Sequence, residues 1–197
     1  MRILLLLAFV VAMPTPTGSN RSVVLLYGFG PYGNFTHNVS QEAIEKIKSE
    51  EGVVKVILSA DLSEKDFIAL IERVKPAAII GLGQWITSSR TNEIRIEKCA
   101  RNLRYQSWPP QDEGNSIEIQ GPDVRCNSPI PEEEDGVSYL SDDAGLYTCN
   151  FSMYVAIRYS QIHHLKYAFF HIPPQFGADR ATKFVEDKIN IFQGPKD

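Results

Sequence analysis

Short apolar runs alternate with amphipathic segments along the first half of the chain. Runs rich in β-branched and aliphatic residues predict buried strands at positions 23–27, 53–59 and 77–82. Two segments between them predict amphipathic helices, one over residues 40–50 with Ser40 as its capping residue and one that begins at Ser63. This β-α-β-α-β order predicts a mostly parallel sheet.

The second half of the chain is less regular until about residue 137. Ile94 and Ile96 alternate with polar neighbours in a predicted strand, and prolines, glycines and acidic residues follow. Regular patterning then returns, with strand-like residues 137–140, a helix over 144–160, a strand over 167–172 and a helix over 179–192. The pattern as a whole predicts a single-domain α/β fold, a mostly parallel twisted sheet with helices on both faces.

The first residues have a different pattern. Arg2 is followed by an unbroken apolar run at 3–13, which is too short to span a bilayer but suits the core of a signal peptide. Val10 and Ala12 suit a cleavage site before Met13. We therefore predict a signal peptide and linker at residues 1–20, a folded domain at residues 21–197 and a secreted or extracytoplasmic protein. The alternative is a buried first strand or a misassigned start, with a cytoplasmic protein.

Composition and charge narrow the classes of partner. With 197 residues, 43% of them hydrophobic, the chain can form one globular domain with a sizeable core. A formal charge of -4 and the absence of lysine or arginine runs provide no basic surface for nucleic acid or an anionic membrane. We therefore expect no nucleic-acid partner and, in the mature form, no membrane partner.

Three residues far apart in the sequence have the types needed for a nucleophile, a base and a group that orients the base. Cys149 lies in the first turns of a predicted helix, where the positive end of the helix dipole favours the thiolate. His171 ends a predicted strand and could transfer the thiol proton to a leaving amine. Glu97 follows the strand that contains Ile96. Their ordinary interpretations are a buried small hydrophobe, a core histidine and a solvated charge.

The cysteines and the glycosylation motifs bear on this hypothesis. The three cysteines cannot all pair within one chain, and in an exported protein Cys99 with Cys126 is the only pairing that leaves Cys149 free. Asn-x-Ser/Thr triplets, which often arise by chance, occur at Asn20, Asn34, Asn38 and Asn150. A glycan on Asn150 would be incompatible with a catalytic role for its neighbour.

Longer motifs are more specific than these single residues. Two of them surround the candidate nucleophile and base, as Asp143-Ala144-Gly145-Leu146-Tyr147-Thr148-Cys149 and Phe170-His171-Ile172-Pro173. The others, in chain order, are Gly28-Phe29-Gly30-Pro31-Tyr32-Gly33, Asn38 with Ser40, Gly83-Gln84, Glu97 with Asn102, and Asp112-Glu113-Gly114-Asn115. In this order, from about residue 22 to the C-terminus, they resemble the pyroglutamyl-peptidase I family of cysteine peptidases.

The resemblance implies an enzyme that removes an N-terminal pyroglutamyl residue from peptides. Cys149 would be the nucleophile, His171 the general base and acid, and Glu97 the residue that orients the histidine. It also implies that no metal or cofactor takes part and that the chain forms a homo-oligomer.

The same resemblance predicts the substrate pocket. A pyroglutamyl terminus is an uncharged lactam, so its pocket should be small and apolar with a few polar groups. The resemblance places Phe29, Tyr32 and Gln84 around it. The alternative for Phe29 and Tyr32 is packing of their loop against the sheet.

Departures from the family pattern keep two other functions open. Residues 59–62 replace a longer segment that helps to wall the pocket, Trp85 stands where the family has small residues, and a family arginine before residue 112 has no clear counterpart. One alternative is therefore a cysteine peptidase or amidase of the same fold with another specificity. The other is a secreted binding module that has lost catalysis.

Overall fold

The computed structural model describes residues 22–48, 50–86, 89–106, 113–127 and 136–194. The predicted signal peptide, the linker and the Asn20 triplet lie outside these ranges, as does Asp112. The division of the chain at residue 20 therefore stays a prediction.

Within the described ranges, six of the eight strands form one sheet, and the other two form a small two-stranded sheet. The strands are β1 Val24–Phe29, β2 Val53–Leu58, β3 Ala78–Gln84, β4 Ile94–Glu97, β5 Cys99–Arg101, β6 Val124–Cys126, β7 Ser138–Ser141 and β8 Lys166–Ile172. The large sheet has the order β2-β1-β3-β8-β4-β7, and all neighbours are parallel except β4 and β8. Strands β5 and β6 pair antiparallel. The predicted α/β fold with a mostly parallel sheet is confirmed.

In the part of the chain that the structure describes, four α-helices cover the two faces of the large sheet. They are α1 Val39–Lys46, α2 Glu64–Val74, α3 Thr148–His163 and α4 Ala178–Gln193. Helices α1 and α4 pack against one face with the even-numbered residues of β1, β3 and β8, whereas α2 and α3 pack against the other with the odd-numbered ones. This division follows from the period of two in a strand. No helix within the described ranges is long and apolar enough to cross a membrane.

Two helices begin at residues other than those predicted. The cap of α1 is Asn38, whose side chain accepts a hydrogen bond from the backbone N–H of Ser40, while the hydroxyl of Ser40 is buried and bonds to the backbone of Phe29. Helix α3 begins at Thr148 rather than at residue 144, because Gly145 has a φ of +73° that a right-handed helix cannot contain. Ser63 does cap α2, as predicted.

Candidate active site

The candidate base lies in the middle of a row of residues on one face of the sheet. In the strand register, His171 of β8 has Gly83 of β3 on one side and Arg95 of β4 on the other. Residues opposite each other in neighbouring strands project to the same face, here the face covered by α3. Glu97 is two residues beyond Arg95 on the same strand and therefore projects to the same face.

The predicted contact between the candidate base and its orienting carboxylate is present. Oε1 of Glu97 lies 2.8 Å from Nδ1 of His171. Both side chains are buried, Glu97 at 0% and His171 at 1% exposure, so water does not compete for this contact. A carboxylate at Nδ1 leaves the other ring nitrogen, Nε2, free to exchange a proton.

The opposite edge of the imidazole faces the candidate nucleophile across Gly83. A methyl group placed on Gly83 would lie 2.8 Å from Sγ of Cys149 and 2.9 Å from Nε2 of His171. The thiol and the imidazole therefore both border the small space that the missing side chain of Gly83 leaves open. The structure thus brings together the three residues predicted to be catalytic, although their motifs are widely separated in the chain.

Cys149 is the second residue of α3 and rests as a thiol. Burial, and then the negative charge of Glu97, raise the pKa of Cys149 to about 12, while its own backbone N–H acts in the opposite direction. The helix dipole alone predicted a lowered pKa for this thiol. The pKa is raised instead, because the loss of water around the thiolate has a larger effect than the positive end of α3. The thiol therefore needs a base, and His171 is the adjacent one.

The start of α3 also presents backbone donors beside the thiol. The first hydrogen bond of the helix runs from the N–H of Phe151 to the carbonyl of Tyr147. The N–H groups of residues 148–150 precede this ladder, at the positive end of the helix. Such donors can stabilise a negative oxygen formed next to Sγ of Cys149.

The residue after the candidate nucleophile joins α3 to the small two-stranded sheet. Asn150 is completely buried, and its side chain accepts a hydrogen bond from the N–H of Arg101 and donates to the carbonyls of Arg101 and Leu103. A glycan on Asn150 is therefore excluded by packing. Asn38 is also buried, whereas Asn34 is exposed.

A disulfide joins the two strands of the small sheet that Asn150 contacts. Cys99 and Cys126 face each other across β5 and β6 and are bonded. Cys149 is left as the free thiol. The pairing considered for an exported protein is therefore the one present in the structure.

The three residues predicted to bind substrate occupy different environments. Tyr32 is half-buried, and its pKa is raised by burial and by the nearby Cys149, while a hydrogen bond with Gln84 lowers it. The side-chain oxygen of Gln84 accepts a hydrogen bond from the N–H of Val39, at 3.0 Å. The ring of Phe29 is buried in the core on the α3 face. The structure therefore brings Tyr32 near the thiol and into contact with Gln84, and it buries Phe29 among apolar side chains.

The segment that departs from the family pattern lies against the start of α3. The carbonyl of Ala60 accepts hydrogen bonds from the hydroxyl of Thr148 at 2.8 Å and from Arg104 at 2.9 Å, and Arg104 also donates to the carbonyl of Leu62. The guanidinium of Arg104 stacks on the ring of Phe151, 4.0 Å from its centre. Residues 59–62 are thus held beside the nucleophile by polar contacts.

Two neighbours of the candidate base and its carboxylate partner were not predicted. Arg95 is buried with its Nε 3.2 Å from Oε1 of Glu97, and its guanidinium lies 3.9 Å from the centre of the Trp85 ring. The Trp85 ring centre is 4.9 Å from that of His171. The spacing of Arg95 and Glu97, two residues apart on a strand, was the available signal, because it places both on one face. Among the described residues, no group of three histidine, cysteine or acidic side chains could hold a metal ion.

Comparison with known sequences identifies a family that matches most of the chain. The sequence model described as pyroglutamyl peptidase matches residues 22–184. Pyrrolidone-carboxylate peptidase 1 of Saccharolobus solfataricus is 30% identical over 167 residues, which are 76% of this chain and 78% of the relative. Human pyroglutamyl-peptidase 1 is 26% identical over 199 residues, which are 88% of this chain and 92% of the relative.

Solved structures agree at the level of the fold. Pyroglutamyl peptidase I from Bacillus amyloliquefaciens superposes with a TM-score of 0.68 at 24% identity, over 84% of this chain and 91% of that one. The pyrrolidone carboxyl peptidase of Thermococcus litoralis gives a TM-score of 0.70 at 20% identity, over 86% of this chain and 93% of that one.

Proposed function

Because the chain belongs to the pyroglutamyl peptidase family, we propose that it hydrolyses the bond that follows an N-terminal pyroglutamyl residue in peptides. The family and the class of enzyme predicted from the sequence, a cysteine-type omega-peptidase, are confirmed. The proposal extends to the residues that carry out the reaction in this chain.

The roles proposed for three residues rest on one observation. Glu97 contacts Nδ1 of His171 at 2.8 Å, while Nε2 of His171 and Sγ of Cys149 lie within 3 Å of the same point above Gly83. This is the order that nucleophilic catalysis requires: a nucleophile, a base within reach and a carboxylate that fixes the base. Cys149 is the nucleophile, His171 the general base and acid, and Glu97 the orienting residue.

The reaction proceeds in two stages. Sγ of Cys149 attacks the pyroglutamyl carbonyl carbon as its proton passes to Nε2 of His171, and the backbone N–H groups at the start of α3 stabilise the oxyanion. The C–N bond then breaks and the leaving amine takes the proton from His171. In the second stage His171 removes a proton from water, the resulting hydroxide attacks the thioester, and the C–S bond breaks. Pyroglutamate leaves, and Cys149 regains its proton.

Recognition of the lactam is assigned to Tyr32 and Gln84, with Phe29 supporting the pocket from the core. The side-chain oxygen of Gln84 is bonded to the N–H of Val39, and its amide group also bonds to Tyr32, so one amide N–H of Gln84 is left to donate to a lactam carbonyl. A prolyl terminus lacks that carbonyl and would leave the donor unpaired in a buried site. This accounts for selectivity for pyroglutamate over proline.

The test is hydrolysis of a pyroglutamyl-aminocoumarin reporter by the purified chain under mild reduction. We expect turnover that falls to background in Cys149→Ala and His171→Ala, with no hydrolysis of the prolyl reporter. His164→Asn, at an exposed residue with a φ of +56° that asparagine tolerates, is the matched control and should keep full activity. Absence of turnover in the folded wild-type protein would refute the proposal.

A second specificity is favoured by one feature of the site. Trp85, a large ring, lies against His171 in a position where the family has small residues, so the pocket entrance can differ from that of the relatives. A library of peptides with varied N-termini distinguishes the two functions. Cleavage confined to termini other than pyroglutamate would favour a peptidase of the same fold with another specificity.

Export and assembly are proposed separately. The Cys99–Cys126 disulfide supports a secreted or extracytoplasmic protein, since such bonds persist in oxidising compartments. The intact mass of the natural protein tests this location, because removal of a signal peptide shortens the chain. The homo-oligomer stays a prediction, to be tested by light scattering.

A further inference from the structure

We propose that Arg95 is a positioning residue, which holds both Glu97 and the segment before α3 and so keeps the base aligned with the nucleophile. The kinetic test of this inference rests on the proposed function, whereas its spectroscopic test does not. The contacts of Arg95 on its two sides carry the argument.

On the first side, Arg95 balances a buried carboxylate. The Glu97 side chain has 0% exposure, and its Oε2 has no hydrogen-bond partner among the described residues. Its other oxygen, Oε1, lies 2.8 Å from Nδ1 of His171 and 3.2 Å from Nε of Arg95. Burial of an unpaired carboxylate is strongly unfavourable. Arg95 places a positive charge next to this carboxylate, whose Oε1 also lies within hydrogen-bond distance of Nδ1 of His171.

On the second side, the same guanidinium holds the chain segment that leads into α3 and the nucleophile. Its Nη2 donates to the hydroxyl of Ser141 at 2.6 Å and to the carbonyl of Asp143 at 2.5 Å. Ser141 ends β7, and Asp143 lies in the loop that leads directly into α3 and Cys149. A single planar cation therefore joins the strand that carries Glu97 to the segment that carries the nucleophile. An ammonium group supplies the charge but not this geometry.

Trp85 completes the arrangement by filling the space next to Arg95. Its ring lies under the guanidinium at 3.9 Å and beside the imidazole of His171 at 4.9 Å. A methyl group placed on Gly145 would come within 3.3 Å of the ring, so the loop before α3 also packs on it. The ring limits the tilt of both the guanidinium and the imidazole.

The test compares Arg95→Met and Arg95→Lys with the wild-type full-length chain. We expect Arg95→Met to lower kcat for the pyroglutamyl reporter about 100-fold, with KM within about twofold, because a misaligned base impairs the chemical step more than binding. Arg95→Lys should recover about tenfold of that loss, since it restores the charge alone. The matched control is Arg180→Met, which removes an exposed arginine stacked on Phe176 from α4, on the other face of the sheet.

The second readout is independent of activity. A histidine Nδ1 proton bonded to a buried carboxylate gives a proton NMR resonance far downfield, which His171→Asn identifies by its loss. We expect this resonance to persist in Arg95→Lys and to disappear in Arg95→Met, while thermal unfolding shows both variants folded. A folded Arg95→Met that keeps the resonance and has a kcat within twofold of wild type would overturn the proposal. If the wild type shows the resonance but no turnover, the proposed function fails and the positioning role is still decided by the spectra.

Discussion

The two sides of the proposed active site are held in place by different interactions. Gly83, His171 and Glu97 lie on three adjacent strands, and the register of backbone hydrogen bonds fixes their positions. Cys149 lies on the other side, at the start of a helix whose cap residue, Tyr147, makes no side-chain capping hydrogen bond.

On the helix side, side-chain contacts to backbone groups hold the start of α3 in place. Asn150 bonds to the backbone of β5, Thr148 bonds to the carbonyl of Ala60, and Arg95 bonds to the carbonyl of Asp143. The strand side therefore tolerates changes of surface side chains, whereas each of these three residues makes a separate contribution to the position of the thiol. Substitutions on the two sides should consequently fail in different ways.

The largest effect is expected for Gly83→Ala, on the strand side. The added methyl group would occupy the space between Sγ of Cys149 and Nε2 of His171, at less than 3 Å from each, and would force them apart. We expect kcat/KM for the pyroglutamyl reporter to fall about a thousandfold, or about 4 kcal/mol in transition-state stabilisation.

Gly81→Ala is the contrasting variant on the same strand. Its methyl group would collide with the rings of Phe169 and Tyr27 in the core, so the free energy of unfolding should fall and activity should follow the folded fraction. Thermal unfolding measured beside activity separates the two cases. A folded Gly83→Ala enzyme with activity within tenfold of wild type would show that the space above Gly83 is not needed.

The strand side was also the part of the site that the sequence predicted best. The regular patterning of the second half predicted a strand over 167–172 and placed His171 at the end of its apolar run, and the structure has this strand as Lys166–Ile172. Motif order then selected Glu97 as its partner. Arg95 was missed because its position beside His171 depends on the antiparallel pairing of β4 with β8, a long-range contact that local patterns do not encode.

The helix side was predicted less well, for a local reason. Ala144 and Leu146 suit a helix, so the predicted helix began at residue 144. In the structure Gly145 has a positive φ, and residues 144–146 therefore lie outside α3. The start of α1 was misassigned similarly, because Asn38 and Ser40 are both good capping residues and only side-chain geometry decides between them. Contacts of Asn150 with a backbone about fifty residues away had no signature in the sequence.

The next largest effect is expected for Asn150→Ala, on the helix side. The substitution removes three hydrogen bonds and leaves an N–H and two carbonyls of residues 101 and 103 without their partner. We expect the free energy of unfolding to fall by about 3 kcal/mol in urea denaturation. Asn190→Ala, at an exposed residue of α4, should change it by less than about 0.5 kcal/mol. A loss below about 1 kcal/mol for Asn150→Ala would mean that α3 does not depend on this contact.

The smallest effect concerns the reactivity of the free thiol. Burial and Glu97 raise the pKa of Cys149 to about 12, so the thiolate fraction at neutral pH is small. This fraction should still increase at pH values at which an ordinary thiol is already fully ionised. We expect alkylation of the substrate-free enzyme by iodoacetamide to be at least about tenfold slower than that of glutathione at pH 7. Its rate should rise about tenfold per pH unit from 7 to 10 without levelling off, whereas the rate for glutathione levels off near its own pKa.

Mass spectrometry of the peptide that contains Cys149 measures the rate, with Cys149→Ala as the blank. Rapid alkylation that is constant from pH 6 to 8 would instead mean a preformed thiolate, and the helix start would then outweigh burial on this side of the site.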